Sequence, residues 1–213
     1  MEIYEELKAR GLIAQVTNED EIRELVNAGK ATFYIGFDPT ADSLHVGHLV
    51  PVMMMRWFQK LGNKPIMLVG GATARIGDPS GKDKLRPFMT PETIAGNIAG
   101  LKNSYAKFIR FDDTPSGAGI ADNYEWFKDI NYLDFLRDVG TYYSVNRMLT
   151  MESVKTRLDR EQQMTFLEFN YQLLQGYDFC RLYEKYGCRA QIAGSDQWGN
   201  ITSGTELGRR KLD

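Results

Sequence analysis

The chain has 213 residues, 43% of them hydrophobic, enough for one good core with at most a small appendage. Its net charge of −2 and pI near 5.8 exclude the basic footprint of a protein that neutralises many phosphates. Cys180 and Cys188 are too few for a disulfide scaffold and fit a reduced compartment. The first residues lack a signal peptide's basic-then-apolar pattern, and no stretch reaches the ~20 apolar residues of a membrane span. A soluble cytoplasmic protein, with no membrane partner, is the expectation.

Two amphipathic helices open the chain. Tyr4 to Arg10 stops at Gly11; Asn18 to Ala28 is capped by Thr17 or Asn18, aligns Ile22, Leu25 and Val26, and ends at Gly29. A strand over 31–37 follows, then a breaker turn, Asp38-Pro39-Thr40, and two histidines three residues apart, His45 and His48. The apolar stretch from Leu49 continues as a helix to about Lys60. Pro51 removes an N–H and crowds the Gly47 carbonyl, so this helix is expected to start late, with Pro51 in its first turn or two. Pro65 to Val69 reads as a buried strand closed by Gly70-Gly71.

Thr90 as N-cap, with Pro91 at the first helical position, begins a helix to about Phe108. The stretch Thr114 to Asp122 reads as a turn-rich loop. Residues 132–161 are helical and weakly periodic, with charges such as Lys155, Arg157 and Arg160, as in an insertion or interface element. Thr165-Phe166-Leu167-Glu168 is a capping box that starts a helix to about Tyr186. A short strand over 189–193 then runs into Gly194-Ser195-Asp196-Gln197-Trp198-Gly199-Asn200 and a last helix. The alternation predicts an α/β fold with a doubly wound parallel sheet.

His45 and His48 are the chain's two histidines, and they sit between a strand and a helix start, where exposed N–H groups and the helix dipole favour an anion. Zinc would need further ligands, and the cysteines are far away in separate contexts. A capping or core role would be preferred for a lone histidine. Clustering with Gly47, which permits close approach of a ligand, and with Asp38 and Thr40 favours phosphate handling.

The glycine-rich loop from Gly70 to Lys82 lacks the spacing of a phosphate-binding Walker loop. Lys82, Lys84 and Arg86 are a basic group suited to a polyphosphate or simply a solvated charge run. Asp78 is placed to bind a cation. Tyr171, Gln175 and Asp178, at i, i+4 and i+7, share one helix face. Such a row is a solvated polar face or a lining for a small zwitterion with a polar tail. Gly194 and Asp196 stand at a strand end, where an acid suits ribose hydroxyls and a glycine admits a sugar.

Together these residues resemble one family. Tyr34-Ile35-Gly36-Phe37-Asp38-Pro39-Thr40 through Leu44-His45-Val46-Gly47-His48 is similar to the signature of class I aminoacyl-tRNA synthetases. The Tyr171–Gln175–Asp178 face and the 194–200 segment narrow the resemblance to tyrosyl-tRNA synthetases of bacterial type, from near residue 1 to the end. It implies a Rossmann-like fold, with residues 132–161 as a helical connective and dimer-interface insertion. The 213 residues would then form an incomplete catalytic domain, truncated before the second, KMSKS-type lysine loop and the tRNA-reading domains.

The resemblance also implies chemistry. Tyrosine attacks the α-phosphate of ATP to give tyrosyl-adenylate, and the tyrosyl group passes to tRNA(Tyr). ATP is a substrate, with Mg2+ bound through its phosphates, and no protein-bound metal is expected. Tyr34 and Asp178 would hold the substrate phenol; Asp78, Tyr171 and Gln175 its ammonium group, with Thr73, Asn123 and Gln191 around them. Gln197 would meet the reacting carboxylate. Gly36, Asp38, Gly47, Gly194 and Asp196 would hold the nucleotide; Thr40, His45 and His48 its phosphates; Lys82 and Arg86 the pyrophosphate. Ile35 stands where the family often has a polar or thiol residue, which removes one ribose contact.

Two other functions compete: a tyrosine- and nucleotide-binding module without turnover, and a structural dimerisation piece built on residues 132–161. A tryptophan-specific relative shares the fold, but the Tyr171–Gln175–Asp178 face suits a phenol better.

Overall fold

The structure is a computed structural model that describes residues 2–76 and 89–212; Asp78, Lys82, Lys84 and Arg86 lie outside the described residues. Helices α1 (Ile3–Ala9) and α2 (Glu19–Asn27) lead into strand β1 (Thr32–Phe37). The Asn18 side chain caps α2 by accepting from Glu21 N. Helix α3 (Val46–Lys60) follows, then β2 (Lys64–Val69) and α4 (Pro91–Tyr105), capped by Thr90 with Pro91 in its first turn.

Helix α3 begins at Val46, after His45, with Pro51 within its first two turns as expected. His45 caps it, and the proline falls in the second turn. The extended backbone of His45 and two side-chain bonds to the first N–H groups fix this start, leaving Pro51 to cost one intrahelical bond further in.

Residues 119–122, expected as loop, form strand β3 (Gly119–Asp122), followed by the short α5 (Tyr124–Phe127). A four-residue strand bounded by glycine and aspartate carries no alternation of its own; its parallel ladder to β2 makes it a strand. The 132–161 region is helical as expected but broken into α6 (Tyr132–Asp138), α7 (Val145–Leu149) and α8 (Glu152–Asp159). Helix α9 (Phe166–Tyr186) has the full reciprocal capping box of Thr165 and Glu168 and ends at Gly187 in the left-handed conformation. Strand β4 is only Ala190–Gln191, shorter than expected, and a single 3-10 turn joins it to α10 (Trp198–Leu212).

Among the described residues the sheet is wholly parallel in the order β3-β2-β1-β4. Its two faces are covered separately. Phe33, Ile35, Phe37, Met67 and Val69 pack with α1 to α4 through Leu7, Val26, Val52, Met55, Leu101 and Tyr105. Tyr34, Ile66, Leu68 and Ala121 point to the other side, against Trp126 of α5 and Leu182 of α9. The alternation along β1 thus divides the molecule into its two helical layers. Val139, Cys180 and Leu207 join the 132–161 region to α9 and α10 in a smaller cluster.

The order reverses between β1 and β4: β2 and β3 extend the sheet on one side, while the next strand returns to the other. In open α/β sheets that reversal leaves a crevice beyond the strand ends, the usual place for a ligand.

Candidate functional site

A cleft of about 1200 Å³ opens there. Its lining gathers the sequence candidates that fall among the described residues: Tyr34, Gly36, Asp38, Thr40, His45, Gly47, His48, Thr73, Asn123, Tyr171, Gln175, Asp178, Gln191, Gly194, Asp196 and Gln197. They come from the end of β1, the start of α3, the β2 and β3 ends, the middle of α9 and the turn after β4. Asp78, Lys82 and Arg86 fall outside the described residues.

The floor is a connected polar chain. Asn123 Nδ2 donates to Asp178 Oδ2 at 3.1 Å and to Thr73 Oγ1 at 3.1 Å, while Ala72 N donates to Asn123 Oδ1 at 2.8 Å. Thr73 Oγ1 donates to Asp38 Oδ1 at 2.8 Å, and Tyr171 donates to Asp38 Oδ2 at 3.4 Å. Trp126 Nε1 donates to Asp178 Oδ1 at 2.8 Å. Both hydrogens of the Asn123 amide are therefore committed, and the acids at the two ends of the chain are held by neutral donors.

Glycines make the approach possible. A Cβ on Gly70 would collide with the Asp38 carboxylate and the Thr73 hydroxyl. A Cβ on Gly71 would collide with Asp122, whose carboxylate accepts from Gly71 N and Tyr124 N.

Burial governs the electrostatics. Asp178 is 3% exposed, and desolvation pushes its carboxyl up to about 8 despite the Asn123 and Trp126 donors; the charges of Asp38 and Asp122 act in the same direction as burial. The Tyr34 phenol is also buried, and desolvation, then Asp178, pushes it well above the ordinary range. Its hydroxyl has no hydrogen-bond partner among the described residues, and neither does the buried Oε1 of Gln191. Tyr34 and Gln191 sit opposite each other in the β1–β4 ladder. Leaving such atoms unpaired costs free energy, and a bound polar group would relieve it.

At the mouth the two histidines share one device. His45 Nδ1 accepts from Gly47 N at 3.0 Å, and His48 Nδ1 accepts from His45 N at 3.3 Å. Their rings stack with centroids 3.7 Å apart. With each Nδ1 lone pair occupied, the neutral rings carry their proton on Nε2 and remain donors there. The capping role and the phosphate role, opposed in the sequence reading, are compatible because they use different nitrogens. Desolvation, then His45, lowers the pKa of His48.

Comparison with known proteins identifies the family. A family model described as tRNA synthetases class I (W and Y) matches residues 27–213. The chain belongs to that family. Among its relatives, the tyrosine–tRNA ligase of Cereibacter sphaeroides is 53% identical over 97% of the chain and 50% of its own length. That of Paracoccus denitrificans is 55% identical over 96% and 49%. The chain thus spans about half the length of the curated relatives it matches. A C-terminally truncated mitochondrial tyrosyl-tRNA synthetase of Aspergillus nidulans superposes with a TM-score of 0.85 at 35% identity, over 95% of this chain and 59% of that one. An Archaeoglobus fulgidus tyrosyl-tRNA synthetase complexed with L-tyrosine shares the fold, with a TM-score of 0.67 at 20% identity over 92% and 56%.

The cleft also holds residues that sequence reasoning missed. Trp126 and Asp122 were not singled out, although one anchors Asp178 and the other pins the Gly71 turn. No local signal marks them: Trp126 meets Asp178 across 52 positions of sequence.

Proposed function

We propose that this chain forms the tyrosine- and ATP-binding part of a tyrosine–tRNA ligase. The observation that carries the reading is the buried, unpartnered Tyr34 hydroxyl on the floor that Asp178 shares. A phenol entering there accepts from the Tyr34 hydroxyl and can donate to Asp178, which Asn123 and Trp126 already hold; an indole N–H offers no acceptor and a phenyl ring offers neither, so both leave the Tyr34 hydroxyl hydrogen unpaired. The tyrosine side of the W and Y family is favoured for that reason.

In this reading Tyr171, Gln175 and Asp78 receive the substrate ammonium, with Thr73, Asn123 and Gln191 fixing the pocket around it. Gln197 steadies the carboxylate. Gly36, Asp38, Gly47, Gly194 and Asp196 seat the nucleotide. The ionised carboxylate attacks the α-phosphorus, a new carboxyl oxygen–phosphorus bond forms, and pyrophosphate leaves with the electron pair of the broken bond. No general base is required. Positioning and charge stabilisation carry such a displacement. His45 and His48 offer two Nε2–H donors to the phosphates, with Thr40 beside them and Lys82 and Arg86 for the leaving group. Mg2+ enters with the nucleotide.

Transfer to tRNA(Tyr), cytoplasmic location and a homodimer belong to the same proposal. Exposed apolar side chains on and after the 132–161 insertion, including Leu133, Val145, Leu158 and Phe166, support a self-association surface. Among the described residues no helix is long and apolar enough to cross a membrane.

Binding without turnover is the second reading: the buried floor of Tyr34, Asn123 and Asp178 can recognise a phenol whether or not the bound tyrosine goes on to react. Calorimetry with tyrosine, phenylalanine and tryptophan, followed by ATP–pyrophosphate exchange, tests both. Tyrosine-selective binding with exchange supports the ligase; selective binding without exchange supports the binding module. Equal affinity for all three amino acids would falsify the pocket assignment.

A further inference from the structure

The loop that joins β1 to α3 carries Asp38, Thr40 and His45, and its backbone is held from outside the site by α4. Asn97 Nδ2 donates to the buried Pro39's carbonyl oxygen at 2.8 Å. One turn further along, Gly100 lies so close to Asp42 that a Cβ would collide with the Asp42 carbonyl oxygen. Asn97 falls between Ile94 and Leu101, which with Tyr105 are the buried residues of α4 and mark its inward face. A half-buried amide on that face is costly without a partner, and the Pro39 carbonyl supplies one.

We propose that Asn97 and Gly100 are positioning residues that set where Thr40 and the stacked histidines present themselves to a nucleotide. The inference rests on the nucleotide part of the reading above; the Asn97 bond falls on Pro39, one residue beyond the floor's Asp38. The floor end of the loop is fixed independently, through Asp38, by Thr73 and Tyr171. Loosening the α4 hold should therefore shift the histidine end and leave the floor in place. Gly100 serves by letting two backbones meet; Asn97 serves by its N–H.

The chain contains only two histidines, both on this loop and the helix start it feeds, so imidazole resonances report on it without assignment by mutation. The experiment compares wild type with Asn97→Leu, Gly100→Ala and a control on the same helix, Gly96→Ala, whose Cβ would meet nothing within 4 Å. Imidazole proton spectra are recorded across pH, and MgATP and tyrosine affinities are measured by calorimetry. Asn97→Leu and Gly100→Ala are expected to displace both imidazole signals and weaken MgATP about fivefold, the loss of one ordinary hydrogen bond's contribution, with tyrosine affinity unchanged. Gly96→Ala should match wild type. Should the wild type bind no MgATP while the imidazole signals still shift in both variants, the positioning stands and the nucleotide reading falls. Unchanged imidazole signals in both variants, or tyrosine affinity lost in step with MgATP, would overturn the proposal.

Discussion

His45 and His48 stack at 3.7 Å, and each spends its Nδ1 on a backbone N–H at the start of α3. This division of labour separates stability from anion binding by choice of substitution. In His45→Asn the amide oxygen can still cap the helix, so stability should stay within about 0.5 kcal/mol of wild type. His45→Ala should lose about 1 kcal/mol. Both should weaken MgATP alike, by the ~1.5–3 kcal/mol of a charge-assisted hydrogen bond. Urea unfolding and nucleotide calorimetry on the two variants check this; a MgATP defect confined to His45→Ala would assign the histidine to capping alone.

Gly70 and Gly208 should respond in opposite directions to alanine. At Gly70 the new methyl meets the Asp38 carboxylate and the Thr73 hydroxyl, so the bond between them must break or the turn must move. Overpacking of this kind costs ~1–3 kcal/mol, and the tyrosine floor should be lost with it. Gly208 lies in α10 and its Cβ would meet nothing within 4 Å. There alanine should stabilise by roughly 0.5–1 kcal/mol through helix propensity. Thermal midpoints of the two variants, with tyrosine affinity, decide it.

How much of this was open to sequence depends on range. Helix α9 could be read from four consecutive residues, because Thr165 and Glu168 satisfy each other's backbone within one turn. The histidine pair could be located for the same reason. Strand β3 could not, since Gly119 to Asp122 becomes a strand through pairing with β2, far back in the chain. Position and spacing picked out the histidines, the Tyr171–Gln175–Asp178 face and Gly194 with Asp196, and family resemblance added Tyr34, Thr73, Asn123, Gln191 and Gln197, whereas the bonds between them were not legible. Asp38 meets Thr73 across 35 positions and Asn123 meets Asp178 across 55, distances at which no periodicity speaks. Trp126 escaped notice because its role exists only in that fold.

Asp178 should make the protein less stable as pH rises. Its carboxyl is pushed up to about 8 by burial, from 3.8, so between those values the folded chain holds a proton that the unfolded chain has released. Stability from this group is complete below about pH 4, declines through the window and levels off above pH 8. His48 acts oppositely: its lowered pKa makes stability fall as pH drops below its ordinary value of 6.5. The difference between wild type and Asp178→Asn cancels the histidine. In that variant the amide nitrogen faces either Asn123 or Trp126, losing one bond at a cost of ~1–3 kcal/mol at pH 5, and the disadvantage should shrink toward pH 8. Denaturant midpoints at stepped pH measure it; a constant gap would remove Asp178 as the titrating group.

The Arg157–Glu168 pair ties the 132–161 region to the start of α9. The two charges lie 2.7 Å apart with side chains only 9% and 3% exposed. Burial alone would raise the Glu168 pKa, but bonds from Thr165 and Arg157 outweigh it and hold it below the ordinary range. Glu168 therefore contributes stability that is present above its ordinary pKa and is lost as pH falls through the lowered one. Arg157→Met leaves that carboxylate buried with only Thr165 to hold it, and should cost about 3–5 kcal/mol. It should also reverse part of the acid response, because the unpaired carboxylate takes up its proton more readily in the folded state. Arg157→Met/Glu168→Gln, which keeps a side-chain acceptor for Thr165, should recover much of the loss. Urea titrations of the single and double variants at pH 4 and pH 7 give the comparison. If the double variant were no better than the single one, the stabilisation would lie in Arg157 packing rather than in the pair.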